Sequence, residues 1–534
     1  MEECQYIQVI VPLRLEWVPC YRSAVPLDPG RRVTVPVGSR RYAGVVLRSV
    51  STPDIPASRI QNVISIDEDL PDISPEELQF WEFLSDYYLC TIGEVFKAAY
   101  PSGKIRSEQT AADILARLRS RLAIREEALT RKHKDSVRER LEAERDDIAA
   151  RIAALTRIPD ASPSKPAAPR PVLLVGGDRT AEYIKMCRSV VAKGLNVLVL
   201  IPEIAASEQL EALFDAEFPG VTHRVNSHIT DARRRGVAAD VRKFGGQIVL
   251  GTRSSLFLPF SRLGLIIVEQ EQDVFFKQTE PAPRYNARDA AVMLARIHGA
   301  AVVLGTPAPS LESLHNAQTG KYELRQTGPE PPAMTLIDIN AERRKNGMQG
   351  RLSRKLIEAA ARTSGPIALI RGWEKPDELL DDADKYLPGR PVDLYTLPEA
   401  RLKDLSGYAL VAVVQADALM NADDFRADEH ALQAIAMLRE SCKGTFVVQT
   451  AKSDHPVFGN PSEVYSRLLA ERAQFSLPPY TRLVDTQCGN RKERIVLKPD
   501  RTLQARKKSI LEKARQLEQS GKGRLRITID VDPL

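Results

Sequence analysis

The segment Val175-Gly176-Gly177-Asp178-Arg179-Thr180 holds the residue types of a phosphate cradle: glycines, then a cation and a hydroxyl. It follows the apolar run 171–176, as a strand-to-helix turn would. A loop that wraps a triphosphate needs enough length for backbone N–H groups to surround it, then Lys on the β- and γ-phosphates and Ser or Thr on Mg²⁺. This loop is about three residues too short, and Arg179 stands where Lys would. A guanidinium fork does not suit the tight nest that an ammonium enters. Asp178 adds negative charge where the triphosphate would lie. Gly176, Gly177, Arg179 and Thr180 are the candidate nucleotide-binding residues, with a plain turn as the preferred reading.

A second phosphate chemistry lies near the C-terminus. Between Cys488 and Leu534 there are 13 Lys/Arg against 6 Asp/Glu, in a chain of net charge +6. Arg491, Lys492, Arg494, Lys498, Arg506, Lys507 and Lys508 form the strongest candidate patch for sugar–phosphate contacts. Metal chemistry has no such footing. The six cysteines form no CxxC pair and the seven histidines show no ligand spacing, so neither zinc nor a disulfide framework is expected. No run approaches the roughly 18 apolar residues of a membrane span. The opening MEECQYIQVIV is acidic where a signal peptide is basic, so a cytoplasmic protein is expected.

The elements that must position these groups change rhythm along the chain. Residues 5–50 alternate apolar and polar positions between Pro/Gly breaks, a β-rich unit. Residues 75–100 read as helical, with Ser74 or Asp72 as cap. Leucines and isoleucines at three- and four-residue steps from Ser107 to about Arg157 predict two amphipathic helices packed antiparallel. PDASPSKPAAPRP (159–171) reads as a linker. Continuous apolar runs follow at 171–176, 195–202, 246–252, 263–269 and 300–306, then at 366–372, 391–396, 408–415 and 444–450. Such runs suit strands buried on both faces of parallel sheets, in two α/β units in tandem. A helix over 501–519 and strands around 493–498 and 525–530 close the chain.

Loops at the strand ends carry a resemblance. Gly251-Thr252-Arg253-Ser254-Ser255-Leu256-Phe257, Leu263-Gly264-Leu265-Ile266-Ile267-Val268, Arg284-Tyr285-Asn286-Ala287-Arg288-Asp289 and Pro309-Ser310-Leu311-Glu312-Ser313, in this order, resemble the PriA family of replication-restart helicases. The N-terminal VPLRLEWVPCY…VPLDPGRRVTVPVG, Asp424-Phe425-Arg426-Ala427 and Leu468 to Leu483 extend it towards both ends.

The resemblance implies a small β-rich N-terminal DNA-binding unit, a helical insert, two RecA-like lobes and a small α+β C-terminal unit. The implied boundaries are 1–104, 105–158 in place of a winged helix, a linker at 159–170, lobe one at 171–325, a shortened lobe two at 326–455 and a basic unit at 456–534. It also implies ATP hydrolysis, and the catalytic positions depart from the family pattern. Glu269-Gln270-Glu271-Gln272 stands for DEEH, and Arg439 alone remains of a Gly-Arg repeat that supplies an arginine finger. Neutral Gln270 cannot take a proton from water. The eight-cysteine zinc module is absent. Arg179, Thr180, Glu269, Gln270 and Arg439 are therefore read as remnants, and no cofactor is assigned, ATP with Mg²⁺ being kept as an alternative.

In the N-terminal unit the family's 3′-end pocket would fall on Pro19, Cys20 and Gln61, all departures, while Tyr21, Arg31, Arg32, Arg40 and Arg41 are candidate DNA contacts. The expected function is binding of branched and single-stranded DNA at stalled forks, with primosome proteins and single-strand-binding protein as partners and no membrane. The competing readings are a divergent 3′–5′ helicase, ATP binding without hydrolysis, and a protein-interaction module built on the helical pair.

Overall fold

The computed structural model describes residues 5–53, 55–101, 111–131, 133–156, 167–202, 208–226, 228–420, 424–520 and 526–534. The expected linker at 159–170 and the loop residues Glu203 and Ile204 fall wholly or largely outside them.

The first five apolar runs become Val172–Gly176, Asn196–Leu200, Ile248–Gly251, Leu263–Glu269 and Ala301–Thr306. They lie in a seven-stranded sheet ordered Glu323–Thr327, Val172–Gly176, Ala301–Thr306, Leu263–Glu269, Asn196–Leu200, Ile248–Gly251, Thr222–Val225. Every pairing is parallel. Alternate residues enter two different cores: Leu173, Leu198, Val249, Ile266 and Leu304 on one face, Leu174, Val197, Ile248, Ile267 and Val303 on the other. Period-two alternation disappears from the sequence because both faces are covered.

A second parallel sheet is ordered Met334–Asp338, Thr445–Thr450, Leu410–Val413, Ile367–Arg371, Val392–Thr396. It has two cores in the same way. The N-terminal six-stranded sheet places Gln61–Asn62 beside Cys20–Ser23, with Gln61 opposite Tyr21, the residue after Cys20. The stretch 75–100 forms two helices, Pro75–Tyr88 and Ile92–Ala99. Each opens on a capping box, Ser74 with Glu77 and Thr91 with Glu94.

These helices do not pack on their own sheet alone. Leu78, Trp81 and Tyr88 share one core with Leu258, Tyr285 and Ala287 of lobe one and with Val484, Leu497, Ile510 and Val531 near the C-terminus. Polar contacts pin the same junction. Lys277 Nζ forms an ion pair with Asp530 at 2.7 Å and donates to the carbonyls of Arg284 and Val531 at 2.6 and 2.7 Å. The C-terminal unit is an antiparallel sheet of Arg491–Leu497, Arg482–Cys488 and Ile527–Val531 with the helix Leu503–Ser520.

The helical pair, Ala111–Leu129 and Asp135–Thr156, runs antiparallel: Arg125 meets Glu144 at 2.7 Å, while Ile114 and Leu118 lie with Ile148 and Leu155. It is docked on lobe one, where Ala239 and Phe244 join its core and Arg151 pairs with Asp240. Gly220 makes that approach. Its φ is +76°, and a Cβ there would meet Arg151 N at 2.6 Å. Gly220→Ala is expected to cost about 1–3 kcal/mol through left-handed strain and displaced helix, with faster amide exchange over 135–156. Unchanged exchange there would show that the pair does not depend on this approach.

Candidate functional site

The turn after Val172–Gly176 leads into the helix Thr180–Val191 with Arg179 at its cap. The Arg179 side chain folds back into the protein and is 4% exposed. Its Nη2 and Nε donate to the two oxygens of Glu269 at 2.5 and 3.1 Å, a two-point pairing at the end of Leu263–Glu269. Nη1 donates to Glu440 Oε1 at 2.8 Å and to the carbonyl of Gly176. Glu440 belongs to the helix Ala427–Ser441 of lobe two, so one guanidinium joins both lobes. Tyr183 completes the group, its hydroxyl donating to Glu269 at 2.5 Å. Space for that hydroxyl exists because residue 305 is glycine: a Cβ there would meet it at 1.6 Å.

Burial alone would lower the Arg179 pKa, but Glu269 and then Glu440 hold the cation, and the net shift is well upward. Tyr183 is pushed up by burial and by Glu269. The Glu440 carboxyl is raised by burial, with Arg179 pulling the other way. Asp178 also accepts the Thr180 N–H at 3.2 Å, using an amide that a phosphate cradle would turn outward. The residues present do not fit a triphosphate. Asp178, Glu269 and Glu440 bring three carboxylates to the site, and its cation already has two carboxylate partners.

Arg439 does not reach this cleft. Its guanidinium is spent on the carbonyls of Pro331 and Pro332, and its neighbour Glu440 faces Arg179 instead. Gln270 sits at φ 55° beside them, in the left-handed region that a non-glycine residue enters at a cost of about 1 kcal/mol or more.

The next residue carries a separate network. Glu271 is buried and accepts from the Ser310 N–H at 2.7 Å, the Ser310 and Ser313 hydroxyls at 2.9 and 2.8 Å, and Arg288 at 3.2 Å. Thr306 donates to Gln272 at 2.8 Å. The far side of this loop meets lobe two. Leu311 N–H donates to Glu429 at 3.0 Å. The helix Pro461–Gln474, which the expected boundary put in the C-terminal unit, packs into a lobe-two core; its Tyr465 donates to the Pro309 carbonyl at 3.0 Å and its Arg472 pairs with Glu429 at 2.9 Å. Arg401 of lobe two pairs with Asp273 of lobe one.

The sequence-predicted DNA contacts divide. Arg40 and Arg41 are exposed at the hairpin between Arg32–Val37 and Arg40–Val50. Arg31 is half-buried and pairs with Asp72 at 3.4 Å. Arg32 is a correction: at 1% exposure its guanidinium lies 4.5 Å from the Tyr100 ring centre and donates to the Pro71 carbonyl. Tyr21 is likewise buried, its hydroxyl donating to the Pro36 carbonyl at 2.8 Å and its pKa raised by burial to about 12. Lys507 is buried on Asp86, at 3.0 Å. Arg491, Lys492, Arg494, Lys498 and Lys508 are exposed and Arg506 half-buried, with Arg494 paired to Asp485, Arg506 to Asp500 and Lys508 to Glu512.

Sequence reasoning missed a groove of about 1720 Å³ between the N-terminal unit, lobe one and the C-terminal helix. Its described lining carries nine Lys/Arg against six Asp/Glu. Trp17, 66% exposed, lies in its wall with Lys97, Arg253 and Arg526, which form no ion pair with any described carboxylate. A lone Trp and scattered cations on three units give no local signal.

Glu271→Gln is expected to destabilise the fold by about 3–5 kcal/mol, since it strips the charge from a buried acceptor of four hydrogen bonds. Chemical denaturation measures this; a loss under about 1 kcal/mol, the range of an exposed pair, would contradict it.

Residues 8–101 match the family model described as the 3′DNA-binding domain (3′BD) of PriA. The replication restart protein PriA of Rickettsia conorii is 30% identical over 345 residues, covering 62% of this chain and 47% of the relative. That of Chlamydia pneumoniae is 35% identical over 193 residues, 35% of this chain and 26% of the relative. The matches thus span less than half the length of these relatives. Among solved structures, RecG bound to a three-way DNA junction aligns with a TM-score of 0.38 at 13% identity, over 71% of this chain and 54% of that one. With the N-terminal domain model and curated relatives whose matches reach 62% of this chain, the chain is similar to the PriA family.

Proposed function

We propose that this chain is a cytoplasmic replication-restart protein that binds branched or stalled DNA forks without hydrolysing ATP. The observation that carries the reading is the 3′DNA-binding domain match at 8–101, on a unit that shares one core with lobe one and opens onto a groove with surplus cations. Lys97, Arg253 and Arg526 contact phosphates there, and Trp17 offers a face for a base to stack on. The exposed cations Arg491, Lys492, Lys498 and Lys508 extend the contact along the C-terminal unit, and Arg40 and Arg41 along the N-terminal hairpin.

The units take the roles the family implies: DNA end-binding at 1–104, a helical arm at 105–158, a linker at 159–170, two fixed lobes at 171–325 and 326–455, and a basic unit at 456–534. Primosome proteins and single-strand-binding protein are the partners proposed on the same ground. The pairing at Arg179 supports the absence of turnover, because a triphosphate would have to displace two carboxylates from one buried cation.

Fluorescence anisotropy with a model fork and an equal-length random duplex tests the reading. Preference for the fork is expected; equal affinity would sink it. DNA-stimulated phosphate release above background would overturn the non-hydrolytic clause alone. Joint charge reversal of Arg491, Lys492, Lys498 and Lys508 is expected to weaken binding and to lower the salt slope by about 0.9 for each phosphate that is no longer neutralised. A parallel shift with no change in slope would remove these residues from the interface.

A further inference from the structure

Two-lobed nucleotide-driven proteins bring their lobes together around bound phosphates, which supply charge to groups on both sides. Here the facing groups are carboxylates, Glu269 on lobe one and Glu440 on lobe two, and the charge between them belongs to the chain itself. We propose that Arg179 is a positioning residue that holds the two lobes in one closed arrangement, its guanidinium doing inside the protein what a nucleotide does between the lobes of such machines.

The geometry specifies this task. Arg179 takes Glu269 by two points within its own lobe, which fixes the plane of the guanidinium. That leaves the Nη1 edge aimed across the cleft at Glu440. Separating the lobes would strip Glu440 of this partner. The same closed arrangement is needed by the bonds around Pro309 and Leu311: the Leu311 N–H on Glu429, and the Pro309 carbonyl with Tyr465. Arg401 on Asp273 adds a third point. Three points spread across the interface fix orientation as well as separation. Nothing in the inference requires DNA binding.

Small-angle scattering and amide hydrogen exchange on the full chain test it, comparing the parent with Arg179→Ala, Arg179→Lys and Glu440→Ala. Glu440→Ala leaves the Arg179–Glu269 pair intact inside lobe one, so it separates positioning from simple loss of fold. The expected result for Glu440→Ala is a larger radius of gyration and faster exchange at 309–313 and 427–433. Protection of the strands 172–176, 263–269 and 445–450 should be unchanged. Arg179→Ala should give the same opening, and Arg179→Lys an intermediate one, since a single ammonium cannot pair with Glu269 by two points and also reach Glu440. Parental scattering and interlobe exchange in Glu440→Ala would overturn the proposal. So would unfolding of Arg179→Ala with Glu440→Ala unchanged, which would make Arg179 a core residue of lobe one alone.

Discussion

A buried arginine between two carboxylates is costly to build and more costly to break. Desolvating three charges is repaid only when each finds a partner, and Arg179 meets that condition with Glu269, Glu440 and the Gly176 carbonyl. The surrounding residues are consistent with it. Gly305 is small where Tyr183 must approach, Tyr183 satisfies a second lone pair of Glu269, and the short Gly177–Asp178 turn brings residue 179 inward. A longer loop would carry a cation outward to meet an external anion. This loop turns its cation inward, and the relative placement of the lobes follows from that choice.

The remainder of the molecule is arranged around lobe one as a hub. Its outer face is closed only in part by its own helices, Asp231–Lys243 and Ala287–His298. The N-terminal helix pair and residues of the C-terminal unit complete the same apolar core, with Lys277, Lys507 and Tyr88 making the polar joins. Units that share a core cannot move apart without exposing it. The groove they enclose is therefore a fixed feature, and its cations come from three parts of the chain that meet only in the fold. Glu271, one residue beyond Gln270, keeps the strand-end loops of lobe one bound to each other whether or not any nucleotide is involved.

Much of this fold is legible in the sequence, for stated physical reasons. Doubly buried strands read as unbroken apolar runs, and Ser74-x-x-Glu77 announces a helix start that the structure bears out with both capping bonds. Short polar strands such as Glu323–Thr327 give no such signal, because a sheet edge is specified by its neighbour's backbone more than by its own side chains. The site is legible in its parts and hidden in its assembly. Arg179 and Glu269 stand out as substituted positions, but the sequence points to Arg439 where Glu440, one residue away, is the group that faces the cleft. Helix phase, which decides which of two adjacent side chains faces a cleft, is not determined by the pattern. Arg32 and Lys507 look like surface cations because composition assigns Lys and Arg to solvent. Their partners, the Tyr100 ring and Asp86, lie far away in the chain, the second of them by 421 residues.

The central claim is a fork-binding body whose lobes are set by its own arginine, so nucleotide should be irrelevant to its DNA affinity. The most direct measurement is equilibrium binding of one fork substrate to the full chain with no nucleotide, with ATP and Mg²⁺, and with ADP and Mg²⁺. The account predicts a single binding curve for all three. A reproducible separation of the ATP curve from the other two would contradict it.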